Sequence, residues 1–210
     1  MKDWYRRKTW TEADETEFFA KFNRARKDGR AQYLKIQAIE LISTNKKELL
    51  RVAESLLNKV LTEYPEDNFN KSSSLHSIGN IHKKLGDETK AIDYYKKAVD
   101  FEKNYPNVQT QAYLDYSELI IKTKSLFEYD EVETILMEKL SKLVFPVDKY
   151  KVNSILSIIN KHKNNADKAV FYAKLAEESA SVETSGLTYH KFLGVVTERE
   201  KWLDKIVEEE

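Results

Sequence analysis

The chain has 210 residues, of which 41% are hydrophobic and 33% charged, so it is long enough to bury a sizeable core. Its 35 basic and 35 acidic residues cancel, so no overall charge favours nucleic acid or an anionic membrane as a partner. The sequence contains no cysteine, which excludes disulfides and thiolate chemistry and is typical of a reducing compartment. With only five glycines and three prolines, the composition indicates an all-α protein with short turns.

Residues 1–29 comprise a basic, aromatic segment followed by a helix that ends at Gly29. The segment MKDWYRRKTW lacks an apolar signal core, and no apolar run in the chain approaches membrane-spanning length, so we expect a soluble cytoplasmic protein. Arginine and tryptophan together can contact phosphates and stack on bases, although the same side chains could simply cover the open end of the first helices. The residues of this N-terminal patch are Trp4, Arg6, Arg7, Trp10, Arg24, Arg26 and Arg30.

Residues 30–182 are predicted to form four helical hairpins. Prolines recur at intervals of 41 and 40 residues, at Pro65, Pro106 and Pro146. The predicted hairpin turns follow nearly the same interval, at Asn45, Gly86, Ser125 and Asn164. Two sets of helix breakers with one interval indicate an internal repeat of about 40 residues.

The clearest hairpin lies between residues 72 and 98. Its first half has apolar residues at helical spacing, and its second half places Ala91, Tyr95 and Ala98 on one helix face. Gly86 between them suits a left-handed position at the end of a helix, and Asp87 suits the start of the next. Because neither apolar face can be buried alone, a short turn predicts antiparallel packing of the two helices.

This hairpin resembles the tetratricopeptide repeat. The family pattern has a large apolar residue, Leu-Gly and an aromatic on the first helix, then Ala, an aromatic and Ala on the second. The matching residues are Leu75, Ile78, Gly79, His82, Ala91, Tyr95 and Ala98, with His82 where tyrosine is usual. A weaker match lies within residues 53–65, at Ala53, Leu57, Val60 and Pro65. The 40-residue interval exceeds the usual length of about 34 and is closer to that of HEAT or armadillo repeats.

The resemblance implies a right-handed α–α superhelix of about ten helices. We expect residues 1–210 to form a single helical repeat domain, with the four hairpins in its middle. The final segment, residues 183–210, is predicted to be a capping helix that covers the exposed end of the array. The sequence does not predict the oligomeric state.

No enzyme signature is present. The chain has no glycine-rich phosphate loop, no GxSxG motif and no HExxH zinc motif. His76 and His82 are six residues apart and fall on different helix faces, so they lack the spacing of paired metal ligands. His82 lies on the core-facing stripe, where a packed side chain is the simpler interpretation. We therefore expect a non-enzymatic protein with no cofactor and no metal.

In the family that the chain resembles, the first helix of each pair lines a concave groove that holds a peptide or a partner helix. Carried over by position, the groove residues are Lys35, His76, Asn80, Lys83, Lys84, Ser117, Asn153, Ser157 and Asn160. This set is basic and polar, which predicts an acidic protein or peptide partner. Asn80 also stands where family members that clamp a terminal carboxylate keep asparagine, but Ser117 and Glu118 do not continue the clamp.

The sequence thus favours a non-enzymatic scaffold or adaptor that binds a protein partner in a polar-basic groove. An immunity protein that neutralises a bacterial toxin is a specific form of this hypothesis. The alternative is a nucleic-acid-associated regulator that uses the N-terminal patch, against which the neutral overall charge argues. An enzyme is the third possibility, and it would require a cleft with perturbed carboxylates.

Overall fold

The computed structural model describes residues 3–209, with side chains as far as Val207, as α-helices joined by turns and short loops. Residues 1, 2 and 210 of the predicted terminal segments lie outside the described residues. The all-α prediction is confirmed, since the described residues contain ten α-helices and no strand. The helices are α1 (Glu12–Phe22), α2 (Arg30–Ile42), α3 (Lys47–Glu63), α4 (Asn68–Leu85), α5 (Glu88–Asn104), α6 (Ala112–Lys122), α7 (Tyr129–Leu140), α8 (Pro146–His162), α9 (Ala166–Ala180) and α10 (Lys201–Glu209).

The chain divides into two compact units. Unit 1 is Met1–Ala112, with α1 to α5, and unit 2 is Tyr113–Glu210, with α7 to α10 and all but the first residue of α6. The single domain over residues 1–210, the 40-residue period and the right-handed superhelix stay predictions.

Unit 1 is built on two helical hairpins. Helix α2 packs against α3, α4 packs against α5, and α4 also contacts both α2 and α3. The buried core combines α1, α2, α3 and α4, and its fully buried members include Phe18, Leu34, Leu41, Leu57 and Ile78. Helix α2 therefore lies beside α4, so the exposed sides of these two helices form one surface of the unit.

The turns inside the four predicted hairpins have a common backbone geometry, with one left-handed residue in each. Positive φ angles occur at Asn45 (56°), Gly86 (80°) and Asn164 (58°), three of the four predicted turn positions. At the remaining predicted hairpin turn the left-handed residue is Lys124 (φ 54°), one residue before the predicted Ser125. The Ser125 amide instead donates to the Ile120 carbonyl at 3.1 Å, which is the 6→1 bond of a Schellman motif. The predicted turn position was therefore one residue too late, since Ser125 follows the left-handed residue Lys124.

Unit 2 is centred on α8, which packs against α7, α9 and α10. The start of α10 is held on α8 through Tyr150, whose hydroxyl donates to Asp204 Oδ1 at 2.7 Å. Burial raises the pKa of Tyr150 above its ordinary value, so the phenol remains a donor. Arg199 bridges Asp204 at 2.8 Å and Glu177 of α9 at 2.7 Å. A polar network thereby fastens the last helix to the unit.

The capping helix predicted over residues 183–210 is shorter in the structure, where α10 is Lys201–Glu209. Turns occupy the residues before it, and Gly186 and Gly194 have φ angles of 78° and 71°. Positive φ angles are incompatible with a continuing right-handed helix. At Gly194 a Cβ atom would also lie 2.5 Å from Phe145 Cδ1, so this turn is closely packed.

Candidate functional site

One side of α4 carries residues at alternating spacings of four and three, which places them along a single helix face. All of them are at least partly exposed: Phe69, Ser73, His76, Asn80 and Lys83. The opposite stripe of α4 is buried and includes Leu75, Ile78, Gly79 and His82. We call the exposed stripe, together with Lys84 and with Lys35 and Ile39 of neighbouring α2, the α2/α4 face.

The position of this face depends on the contact between Gly79 of α4 and Tyr95 of α5. A Cβ atom at Gly79 would lie 2.4 Å from Tyr95 Cδ1, so only glycine allows the ring to lie this close to the helix. Tyr95 is fully buried, and its hydroxyl donates to Asn80 Oδ1 at 2.8 Å. The contact that brings the two helices together therefore also fixes the orientation of the Asn80 amide.

Asn80 consequently presents its amide nitrogen to the α2/α4 face. The Nδ2 atom lies 3.4 Å from His76 Nε2, one helical turn earlier, and the His76 ring packs on Tyr95 with centroids 5.6 Å apart. An asparagine amide has two N–H donors, and the His76 ring can accept one of them. The arrangement offers a donor to a carboxylate or carbonyl group of a ligand.

The other end of the face is aromatic. Phe69 is 67% exposed, and Lys35 Nζ lies 5.3 Å from the centroid of its ring. Burial of Lys35 lowers its pKa below the ordinary value, while the nearby charge of Asp67 opposes this effect. Ile39, one turn after Lys35 on α2, is 45% exposed. This end therefore combines apolar surface with a cation.

Lys83 and Lys84 are exposed at the carboxyl end of α4. Lys84 Nζ donates to Asn45 Oδ1 at 2.5 Å, in the turn that follows α2. The two contacts, Lys35 with Phe69 and Lys84 with Asn45, show that α2 and α4 run side by side in the same direction. Five of the nine predicted groove residues, Lys35, His76, Asn80, Lys83 and Lys84, thus lie on one face of unit 1.

His82 lies in the core, in agreement with the packed position predicted for it. Its Nε2 atom is 3.1 Å from Glu54 Oε1 of α3, and its ring stacks on Tyr94 with centroids 5.6 Å apart. His82 therefore links the two hairpins of unit 1 and is not part of the exposed face.

The four predicted groove residues of unit 2 are buried, so they do not contribute exposed groups to a binding surface: Ser117, Asn153, Ser157 and Asn160. Ser157 Oγ donates to the Ala169 carbonyl at 2.8 Å, and Asn160 Nδ2 donates to Glu133 Oε1 at 2.9 Å. Three of these residues, Asn153, Ser157 and Asn160, are buried because α8 is covered by its neighbours α7, α9 and α10. Apolar residues on more than one side of α8 were the sequence signal for this burial: Val152, Ile155, Leu156, Ile158 and Ile159.

The aromatic residues of the N-terminal patch pack on the first helices. The Trp4 ring lies 5.2 Å from Phe18 and 5.1 Å from Tyr33, between centroids, and the Trp10 ring lies 5.3 Å from Phe18. These tryptophans cover the start of unit 1, which is the structural alternative that the sequence offered.

The arginines of the patch have different environments. Arg6 pairs with Glu40 at 2.8 Å, and Arg7 pairs with Asp14 and Glu17, each at 2.6 Å. Arg30 donates to the main-chain carbonyls of Asn23 and Ala25. Arg24 and Arg26 are exposed.

Sequence reasoning missed Gln37, a fully buried residue of α2. Its Oε1 atom accepts from the Arg7 amide at 3.0 Å, and its Nε2 atom donates to the Arg7 carbonyl at 2.8 Å. The sequence signal for this buried contact was a polar residue on the otherwise apolar stripe of α2. Gln37 thus fixes the N-terminal segment on the helix.

Thr11 and Asp14 form a capping box at the start of α1, and this capping box makes the N-terminal segment sensitive to acid. The amide and hydroxyl of Thr11, then Thr9 and Arg7, hydrogen-bond the Asp14 carboxylate and lower its pKa to about 2. An unfolded aspartate titrates near pH 4, at about 3.9. The Asp14 contribution to stability is therefore complete above about pH 4 and is lost as the pH falls towards 2.

We expect the fluorescence of Trp4 and Trp10 to shift to longer wavelength between about pH 4 and pH 2 as these rings become exposed. A Trp202→Phe background removes the signal of unit 2. Asp14→Asn should lose this transition and show a looser segment already at neutral pH. Identical pH profiles for the two proteins would contradict the assignment.

The described residues contain no group of three or more His, Cys, Asp or Glu side chains placed to hold a metal ion. Within the same part of the chain, every helix is too short or too polar to cross a membrane.

Comparison with known families agrees with this geometry. A family model described as tetratricopeptide repeat matches residues 72–105, which comprise most of α4 and all of α5. The segment 53–65 lies outside this match, so its resemblance to a second repeat stays a prediction. No curated protein matches the chain. The chain is therefore a tetratricopeptide-repeat-like helical protein, and residues 72–105 are the segment that matches the family.

Proposed function

We propose that this protein is a non-enzymatic scaffold that binds an acidic segment of a partner protein on the α2/α4 face. Tetratricopeptide repeats are protein-interaction modules, so the match over residues 72–105 supports an interaction role in general. The observation that supports an acidic partner on the α2/α4 face is the row of hydrogen-bond donors on α4. In this row, Tyr95 orients Asn80, which is followed one turn later by Lys83.

The electrostatics of the face support an acidic partner. Lys35, Lys83 and Lys84 contribute positive charge, which Asp67 offsets in part near Lys35, and Glu40 on α2 is paired with Arg6. The Asn80 amide is held before a partner arrives, so little side-chain entropy is lost when it binds a carboxylate or a peptide carbonyl.

An immunity protein that neutralises a toxin is one specific form of this proposal. A complex of picomolar affinity with the product of a neighbouring gene would favour it, whereas weak binding to many peptides would favour an adaptor. The immunity protein and the adaptor would use the same face. We propose that the protein acts in the cytoplasm.

The contacts of the N-terminal patch favour a structural role over nucleic-acid binding. Trp4 and Trp10 pack on α1, and Arg6 and Arg7 pair with carboxylates of the same unit. We therefore place the partner on the α2/α4 face.

The test uses the full chain as bait in a native extract at low and high salt. Replacing Lys83 and Lys84 together by glutamate should weaken capture of the partner by about tenfold or more, because attraction becomes repulsion. Lys174→Glu on α9 is the matched control, since this side chain is 78% exposed and lies in unit 2. The proposal fails if the double variant retains the same partner with unchanged affinity, or if nucleic acid that is lost at high salt is the material captured.

A further inference from the structure

We infer that Met137 is an oxidative modification site, at which hydrogen peroxide converts the thioether mainly to one epimer of methionine sulfoxide. The epimer is selected by the Tyr172 hydroxyl, which covers one side of the sulfur. Met137 lies on α7 and Tyr172 on α9, both in unit 2. This chemistry is independent of partner binding on the α2/α4 face.

Met137 lies in a cleft that is open to water. The residue is 47% exposed, and it lines a cleft of about 580 Å³ between side chains of α7 and α9. Apart from Met137 and Tyr172, the lining residues are polar: Glu133, Thr134, Glu138 and Lys168. Methionine often fills gaps in apolar cores. Here it faces water and polar groups instead, so dissolved peroxide can reach the side chain.

Tyr172 engages the Met137 sulfur directly. Its hydroxyl donates a hydrogen bond to the sulfur at 3.3 Å. Burial, together with the charge of Glu133, raises the pKa of the Tyr172 phenol, so the hydroxyl keeps the proton that it donates. A thioether sulfur is a weak acceptor with two lone pairs. The phenol thus occupies one lone pair and leaves the other for a reagent in the cleft.

The reaction is a two-electron oxygen transfer. The second lone pair of the sulfur attacks one oxygen of hydrogen peroxide, so an S–O bond forms as the O–O bond breaks. The departing hydroxide takes the proton of the transferred oxygen and leaves as water. The sulfur is oxidised, the peroxide is reduced, and the side chain becomes a polar and chiral sulfoxide.

The hydrogen bond determines which sulfoxide epimer forms. Attack through one lone pair gives one epimer and attack through the other gives its opposite, so an unrestrained methionine side chain forms both. At Met137 the lone pair that faces Tyr172 is engaged, and oxygen is therefore added on the side that faces water. Each epimer is reduced by its own class of sulfoxide reductase, so one class would suffice to reverse the modification.

The experiment treats the full-length protein with dilute hydrogen peroxide and measures oxidised Met137 by mass spectrometry of proteolytic peptides. Incubating these peptides with each of the two epimer-specific sulfoxide reductases then gives the ratio of the epimers. A synthetic peptide of residues 131–143, which lacks Tyr172, is oxidised in the same way as the reference.

We expect one epimer at Met137 to exceed the other by about fivefold or more, because a hydrogen bond to one lone pair raises the barrier to attack from that side. The reference peptide should give the two epimers in nearly equal amounts. Tyr172→Phe keeps the ring and removes the hydroxyl, so its ratio should fall towards that of the peptide. Tyr189→Phe is the matched control, since this residue is 92% exposed in unit 2 and its replacement should leave the ratio unchanged.

Nearly equal epimers in the wild-type protein would overturn the inference, and this result does not depend on whether any variant folds. Failure of Met137 to oxidise under conditions that oxidise the reference peptide would also overturn it. An unchanged ratio in Tyr172→Phe would show that the shape of the cleft, and not the hydroxyl, selects the epimer, and would overturn the role of Tyr172.

Discussion

Replacing Gly79 by alanine is expected to destabilise unit 1 by about 2 kcal/mol. The added Cβ atom would lie 2.4 Å from Tyr95 Cδ1 and 2.5 Å from Cε1, so the ring or the helix must move. The ring is fully buried and its hydroxyl is bonded to Asn80, so it cannot move without loss. Overpacking of this kind costs up to about 3 kcal/mol, and the better helix propensity of alanine returns about 1 kcal/mol.

Urea unfolding followed by the fluorescence of Trp4 and Trp10, in the Trp202→Phe background, measures this effect on unit 1. Tyr95→Leu in the Gly79→Ala protein should recover part of the loss, because the smaller side chain relieves the contact. Ser77→Ala, on the same helix but away from Tyr95, is the control and should change stability by less than about 0.5 kcal/mol. A Gly79→Ala protein as stable as wild type would show that the helices are not packed as described.

Replacing Glu102 by alanine is expected to destabilise unit 1 by about 3 kcal/mol. Glu102 is 4% exposed, and its Oε1 atom accepts from Ser72 Oγ at 2.5 Å, from Thr110 Oγ1 at 2.7 Å and from the Thr110 amide at 2.9 Å. Alanine would leave these three donors without their acceptor. Ser72 is fully buried and Thr110 partly buried, and each donor left unsatisfied in such a site costs about 1 kcal/mol. The carboxylate ties the loop after α5 to the start of α4.

The local consequence is measurable by hydrogen exchange. The Thr110 amide should exchange much faster in Glu102→Ala than in wild type. Glu102→Gln keeps an acceptor at the same position, so it should lose only about 1 kcal/mol. If glutamine and alanine at position 102 have equal effects, the hydrogen bonds described here do not account for the stability of the loop.

The hairpins were predictable because their signals are local. Apolar spacing within each helix, and residues such as Gly86 and Asp87 that end one helix and begin the next, depend only on neighbours in sequence. The Gly79 and Tyr95 pair was also recognisable, since the spacing of both residues in the family pattern implies a close helix contact. These features were sufficient to predict the all-α architecture and the main helix boundaries.

The residues that were misplaced depend on packing between helices distant in sequence. Ser117 and Asn160 have the same polar character as Asn80, and only the surrounding helices decide that they are buried. Likewise, the bond between Gln37 and the Arg7 main chain joins residues 30 positions apart. The sequence could not show which polar residues face solvent: the predicted groove residues of unit 1 are at least partly exposed, whereas those of unit 2 are buried.

The most direct test of the central claim is zero-length cross-linking of the complex with a carbodiimide, which joins an ammonium group only to a carboxylate in contact with it. The cross-linked peptides are then identified by mass spectrometry. We expect aspartate or glutamate of the partner to be joined to Lys35, Lys83 or Lys84, and Lys174 not to be joined. Cross-links confined to lysines outside the α2/α4 face, such as Lys8 in the N-terminal segment, would contradict it.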